Sequence, residues 1–546
     1  MSEILIVDGL EKTFPDSRPR YILKKASILS DERFGFQVVV NSRAELEQYV
    51  LKTESDIGSC IRLREVGYVP CRRAGYDKDT DDDYVIFKKH ADTYYPDVLY
   101  PSDGRFVSNG NSWKTFFVTV EGALPAGRHR IKFVLFNETL GVEEGCAETE
   151  LFVLNAVLPA FDIYYTTWFH YDCLADAYRM RVFSERFIAV MNNFFADAVK
   201  HGMNTIYTPL FTPPLDTKIG SYRKTVQLVD VYKENKKYRF SFDRLLRFMQ
   251  NAERVGFRYF EMSHLATQWG AEFTPKIVAE VGGKKKRIFG WDKESLSEEY
   301  TAFLRQFLPQ LAVFLDKNGY AGRCFFHISD EPNVSHADRY GKLSALVHEL
   351  LKDYPVMDAL SDFEFYARKF VDIPVVATEC AQSFADKNVD TWVYYCCTQA
   401  FNGLSNRFFN MPLQRTRILG AQLYLNNAKG FLHWGYNFYY SALSVRKLNP
   451  FYETDADENL PGGDCFIVYP GEKGEPFSSL RNEAFYDGLQ DYRALKLLEE
   501  LENREFVCRF LAEEGMRGYF EYPQSAEWHR AFREKLNAMI AERIGT

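Results

Sequence analysis

Two adjacent carboxylates, Asp330 and Glu331, follow the apolar run CFFHIS at 324–329 and precede Pro332. Acids beside a buried strand must be hydrogen-bonded or must do chemistry, because an unpaired carboxylate is destabilised in apolar surroundings. The chemistry that suits such a pair is glycoside cleavage. One carboxyl with a raised pKa protonates the leaving oxygen, and a second group stabilises or traps the developing cation. Those two groups usually come from different strands, about 5 to 9 Å apart. Acids adjacent on one strand suggest a variant in which the 2-acetamido group of the substrate attacks the anomeric carbon. One acid then orients that amide, and its neighbour acts as general acid and later as base. Strand alternation sends neighbours to opposite faces, yet both directions reach a substrate where the chain leaves the mouth of a barrel. Pro332 predicts an extended backbone at Glu331.

The elements that must position these acids follow from periodicity. From about Phe161, apolar runs at 161–169, 204–211, 257–264, 323–329, 356–361, 373–379, 391–397 and 430–436 alternate with amphipathic stretches such as 186–202, 242–256 and 343–353. Eight strands separated by helices predict a (β/α)8 TIM barrel over 158–546, with the link between strands five and six the weakest. The tail at 478–502 predicts one long helix followed by a shorter one. A doubly wound sheet is the alternative, but no GxGxxG follows any strand. Residues 1–157 show β-rich runs at 34–42, 84–90, 113–122, 129–137 and 148–157 without helical patterning, which predicts an N-terminal β-sandwich domain.

In a barrel the active site lies at the C-terminal strand ends. Strand one ends at Trp168 and His170, strand two runs on to Asp216, and strand three supplies Glu261, His264, Gln268 and Trp269. Strand four brings His327 with the two acids, strand five leads to Asp362, and strand six to Glu379. Strand seven carries Tyr394 and Tyr395, and strand eight His433, Trp434, Tyr436 and Asn437. Each residue alone has an ordinary structural role available to it; their convergence on one rim makes them candidate substrate contacts. His170, His264, His327 and His433 lack the fixed spacing of a metal site, and no GxSxG elbow occurs, so neither a metal nor another cofactor is expected.

Aromatic residues make up 16% of the chain, most of them accounted for by large cores, and rings near strand ends also suit the CH-rich faces of sugars. The net charge of −8 gives no reason to expect nucleic acid or an anionic membrane as partner. The single basic run, KKKR at 284–287, is expected to be a solvated loop. The N-terminal residues lack the pattern of a signal peptide and no apolar stretch has the length of a membrane span. The ten cysteines have no CxxC pairs, and Cys396–Cys397 is their only close set. A cytoplasmic protein with reduced thiols is expected.

The chain resembles proteins carrying domain of unknown function 4091, related to glycoside hydrolase family 123, the β-N-acetylgalactosaminidases. The resemblance rests on WFHYDC (168–173), GMNTIYTPLFTPPLDT (202–217), FEMSHLATQWGA (260–271), FHISDEP (326–332), DALSD (358–362), NRFFN (406–410), GFLHWGYNFY (430–439) and GDCFIVYPG (463–471). It implies a β-sandwich before a (β/α)8 domain, and an exo-acting enzyme using substrate-assisted, retaining catalysis. Asp330 would then orient the acetamido group, Glu331 would be general acid/base, and Tyr395, Tyr394 or Tyr436 would hold the acetamido oxygen. The implied partner is a glycan bearing a 2-acetamido sugar, and a homo-oligomer is compatible with the sequence. Two alternatives stand: a retaining glycosidase with Glu379 or Glu261 as nucleophile, and a non-catalytic carbohydrate-binding protein.

Overall fold

The computed structural model describes residues 2–42, 44–75, 81, 83 and 93–545. Between Glu3 and Leu154 the described residues form two five-stranded sheets. The first, wholly antiparallel, runs in the spatial order Glu3–Asp8, Phe34–Ser42, Ser112–Val120, Ile61–Cys71 and Thr93–Pro101. The second runs Lys25–Leu29, Val142–Leu154, Gly127–Asn137, Glu45–Glu54 and Arg105–Asn109, with one parallel pair at its start. Alternate residues such as Phe36, Val38 and Val40 of one sheet and Ile131, Phe133 and Leu135 of the other share one apolar core. The strand expected at 84–90 lies outside the described residues.

Eight short parallel strands follow, each inside one of the eight apolar runs. Tyr164–Thr167, Gly430–His433, Trp392–Tyr394, Ile373–Ala377 and Met357–Ala359 form a five-stranded sheet in that order. Thr205–Thr208, Tyr259–Met262 and Cys324–Phe326 form a three-stranded one. The sheets touch at both edges. Phe326 bridges Val356 in parallel and its N–H donates to Pro355 O (3.0 Å), while the Asn204 N–H donates to Tyr165 O (3.2 Å).

The helices between strands bury one stripe each. Glu185–Lys200 starts where the Ser184 hydroxyl accepts the Phe187 N–H, and it buries Phe187, Val190, Met191, Phe194, Phe195 and Ala198. Among the described residues no helix is long and apolar enough to cross a membrane. The weak link between strands five and six is one short helix, Phe363–Ala367, capped by the Asp362 side chain. The first residues of several strands form an aromatic floor. Tyr164 stacks on Trp392 (centroids 4.9 Å), with Tyr259 and Phe325 edge-on. Gly430 sits beneath Trp392, where a Cβ would lie 2.4 Å from the indole. This floor fills the N-terminal end of the strands with packed rings.

Two expectations are corrected. The KKKR run is not a loop but part of the strand Lys284–Phe289, paired with Ile277–Val281 through Gly282 and Gly283, both at positive φ. A two-residue Gly-Gly turn is a strong hairpin signal, and it outweighs the charge of the run, whose lysines are exposed while Arg287 pairs with Asp292 over the Tyr222 ring. The tail holds three helices, Leu480–Leu501, Arg504–Glu513 and Ala526–Ile544, the last capped by Ser525.

Candidate active site

The fourth parallel strand ends at Phe326, and the next residues are pinned one by one. The N–H groups of Ile328 and Ser329 donate to the Asp358 carboxylate (3.1–3.2 Å). The Ser329 hydroxyl donates to Thr267 O (2.7 Å), Asp330 O accepts the Trp269 N–H (2.8 Å), and the Glu331 N–H donates to Ala359 O (3.1 Å). Asp330 and Glu331 therefore stand four and five residues beyond the strand, not at its last position. Glu331 has φ +44°, a left-handed conformation rather than the extended one Pro332 predicts. The fixed N–H and the side-chain bond to Tyr394 hold it there.

Both acids border a cavity of about 140 Å³ walled by Trp168, Leu215, Asp216, Gln268, Trp269, Ala359, Tyr394, Tyr395, Cys396, Cys397, Leu432, Trp434 and Leu460. Tyr394 Oη donates to Glu331 Oε1 (2.9 Å). The Asp330 carboxylate has no hydrogen-bond partner among the described residues. Burial pushes the Asp330 pKa well up, and the neighbouring charges of Glu331 and Asp358 push it further. Burial also raises Glu331, against hydrogen bonds from Tyr394 and Trp269 that lower it. Two carboxyls this close do not ionise together readily, so the pair keeps a proton above the ordinary carboxylate range.

Beneath the pair lies a buried chain of charge. His327 Nε2 meets Glu261 Oε1 at 2.6 Å and its Nδ1 meets Asp358 Oδ1 at 2.8 Å, with all three side chains fully buried. Burial opposes the imidazolium, but the hydrogen bonds to Asp358 and Glu261 overcome it and lift the pKa to about 10. Both ring nitrogens then donate. Glu261 also accepts from Thr166 Oγ1 (2.7 Å) and Trp168 Nε1 (2.5 Å), which ties this chain to the cavity wall. His264 stacks on His327 (centroids 4.3 Å), and its Nδ1 pairs with the Tyr207 hydroxyl (2.8 Å). Burial and the His327 charge keep it neutral. His264, His327 and Asp358 bring three ligand-type atoms within 4.8 Å. Since both His327 nitrogens already face carboxylates, the arrangement is an ion-pair chain as it stands.

Of the sequence-predicted contacts, Trp168, Asp216, Trp269, Tyr394, Tyr395 and Trp434 border the cavity with the two acids. Asp216 accepts the Leu443 N–H on both oxygens (3.1 Å each). Tyr395 packs its ring on Phe431 in the outer core. The others do different work. Glu261, His264 and His327 lie below. His170 and Asn437 hold two strand exits together: the His170 N–H donates to Asn437 Oδ1 (2.8 Å), and Asn437 Nδ2 donates to His170 O (3.2 Å). Burial and the nearby Arg223 guanidinium push the His170 pKa down to about 3. His433 Nδ1 accepts from Arg407 Nη2 (2.8 Å), and the Tyr436 hydroxyl serves Phe194 O and Asp197 (3.1 Å each). Asp362 is a helix cap, and Glu379 accepts from Gln399 (3.1 Å) outside the cavity wall.

The site also uses residues absent from the predicted set. Asp358 is an acid in the middle of an apolar strand, a signal the sequence did carry. Asp464 accepts the Trp434 indole N–H (2.9 Å), and burial lifts its pKa to about 7. Leu215 and Leu460 come from loops with no chemical signature.

The description "Glycoside hydrolase 123, catalytic domain" matches residues 168–498, which is most of the chain. The chain belongs to glycoside hydrolase family 123. It is a glycosidase. A family 123 glycoside hydrolase from Clostridium perfringens, described in terms of glycolipid glycan hydrolysis, superimposes with TM-score 0.75 at 14% identity, covering 100% of this chain and 98% of that one. At that identity the likeness speaks for the mixed α/β fold. A family 5 mannosidase from Rhizomucor miehei (TM-score 0.33, 14% identity, 67% of this chain and 97% of that one) is too distant to bear on function. The same holds for a family 5 xyloglucanase from Bacteroides ovatus (TM-score 0.32, 8% identity, 85% and 98%). No curated protein matches the chain.

Proposed function

We propose that this family 123 glycosidase is an exo-acting β-N-acetylgalactosaminidase that uses substrate-assisted, retaining catalysis. In this reading the eight parallel strands are one (β/α)8 barrel over 158–546, and the two N-terminal sheets are a β-sandwich domain over 1–157. The observation that carries the reading is the contrast between the two acids. Asp330 offers the cavity a carboxyl with no hydrogen-bond partner among the described residues, whereas Glu331 is aimed by Tyr394, and burial raises both acids so that the pair keeps a proton between them.

The substrate's acetamido N–H donates to Asp330, which turns the amide oxygen toward the anomeric carbon and stabilises the positive charge that spreads over the amide. That oxygen attacks as Glu331 gives its proton to the glycosidic oxygen, and the C–O bond breaks. The cyclised sugar is then opened by a water that loses its proton to Glu331, and two inversions leave the configuration retained. Tyr394, at the cavity beside Glu331, is the tyrosine to hold the acetamido oxygen, its hydroxyl proton turning from Glu331 to the substrate; Tyr436 is remote and Tyr395 turns its ring outward.

A protein nucleophile has less support. Glu261 already takes bonds from His327, Trp168 and Thr166, and Glu379 lies off the cavity. The decisive experiment is inhibition by a thiazoline that mimics the cyclised intermediate. We expect tight binding that Asp330→Asn abolishes, together with loss of aryl β-N-acetylgalactosaminide hydrolysis in Asp330→Asn and Glu331→Gln. Wild-type hydrolysis of aryl β-galactosides without an acetamido group would overturn the mechanism. Sugar binding without hydrolysis of any aryl glycoside would favour a binding protein instead.

A further inference from the structure

The segment Gln268–Ala271 is built with more strain than its packing explains. Trp269, Gly270 and Ala271 have φ of +58°, +129° and +52°, three successive residues in a region that side chains disfavour. The corner is locked against the catalytic segment. The Trp269 N–H donates to Asp330 O (2.8 Å) and the Ala271 N–H to Ser329 Oγ (3.2 Å). Gly270 lies so close to His336 that a Cβ would sit 2.9 Å from its ring. Burial of the tryptophan does not repay this strain, because Trp269 is 53% exposed while forming part of the cavity wall.

The neighbouring residue supplies an independent sign of a ligand. Gln268 borders the same cavity and is only 7% exposed. Its Oε1 accepts the Asp216 N–H (2.6 Å), which identifies the oxygen end of the amide. The other end, Nε2, is buried without a partner among the described residues. A buried amide N–H group left unpaired is destabilising, so a site that keeps one holds it for a partner that arrives with the substrate.

We propose that Gln268 and Trp269 form the leaving-group subsite, and that the group they take is a second sugar ring. This rests on Glu331 being the acid that protonates the leaving oxygen. Trp269 shares the cavity wall with that acid, its N–H is tied to Asp330 O, and its half-exposed ring stands at the rim, where a leaving group would pass. An indole face suits the CH-rich side of a pyranose, and the free Gln268 N–H suits a ring hydroxyl. An aryl or alkyl leaving group uses the first contact but not the second.

The test compares kcat/KM for a nitrophenyl β-glycoside of the 2-acetamido sugar with that for a disaccharide in which the same sugar is β-linked to a hexose. Gln268→Glu keeps the acceptor for Asp216 and replaces only the donor, and Trp269→Ala removes the platform. Each is expected to cost the disaccharide about tenfold more than the nitrophenyl glycoside, with the loss mainly in KM and partly rescued in Trp269→Phe. Equal losses on both substrates would overturn the subsite. If the wild type cleaves neither substrate, calorimetric titration of the disaccharide separates the two ideas. Binding weakened by both variants keeps the subsite while the acetamido reading falls, and binding unchanged by both overturns the subsite itself.

Discussion

The pKa of Glu331 is raised because burial disfavours its charge more than the hydrogen bonds from Tyr394 and Trp269 favour it. In the proposed mechanism Glu331 gives a proton to the leaving oxygen, so kcat/KM should fall as pH rises through this raised pKa. Tyr394→Phe removes one of the two bonds that lower it, so the alkaline limb of the profile should move to higher pH. A limb that stays in place would mean that another group titrates. A different sign applies to His327, whose pKa is raised from the ordinary value of roughly 6.5 to about 10. Its charge stabilises the fold fully below the ordinary value, and that contribution fades as pH climbs toward the raised one. His327→Gln leaves Glu261 and Asp358 buried without their cation, at a cost of about 3–5 kcal/mol near neutrality. In urea titrations the gap between variant and wild type should narrow as pH rises through that window.

Elements here are set as much by glycine as by apolar pattern. The helix Leu419–Leu425 meets the helix Leu480–Leu501 so closely that a Cβ on Gly420 would lie 1.6 Å from Gly488 O. Gly420→Ala should therefore lower stability by about 1–3 kcal/mol or more, read as a shift in the urea midpoint. The eight parallel strands were legible because each is a dense apolar run bounded by turn residues. The hairpin at Gly282–Gly283 was hidden behind four basic residues, although its turn was written plainly. Asp330 and Glu331 stood out because acids rarely follow CFFHIS-like runs. His170, Tyr436 and Asn437 lie off the cavity wall for a simple reason: position along a strand exit does not tell which way a side chain turns. Gln268 becomes informative only when the Asp216 N–H is seen to occupy its oxygen.

At the scale of the whole molecule, the N-terminal sheets are joined to the catalytic half by buried charge. Arg481 donates to both oxygens of Asp97 (2.8 and 2.9 Å), both side chains are fully buried, and the Tyr469 hydroxyl also donates to Asp97 (2.6 Å). Asp97→Ala strands the arginine and should cost about 3–5 kcal/mol. Calorimetry should then split or broaden a single wild-type unfolding transition; an unchanged endotherm would mean that the pair does not couple the halves. The chain under Asp330 has a consequence for how the enzyme comes into being. Glu261 and Asp358 lie 66 and 31 residues from His327, each on a different strand. A slip of one residue in any of the three would turn its side chain to the opposite face. The contact thus closes only when three successive strands have met in correct register. A nascent or mispaired chain has no cation beneath its acids, so hydrolytic competence arrives late in assembly, with register as its gatekeeper.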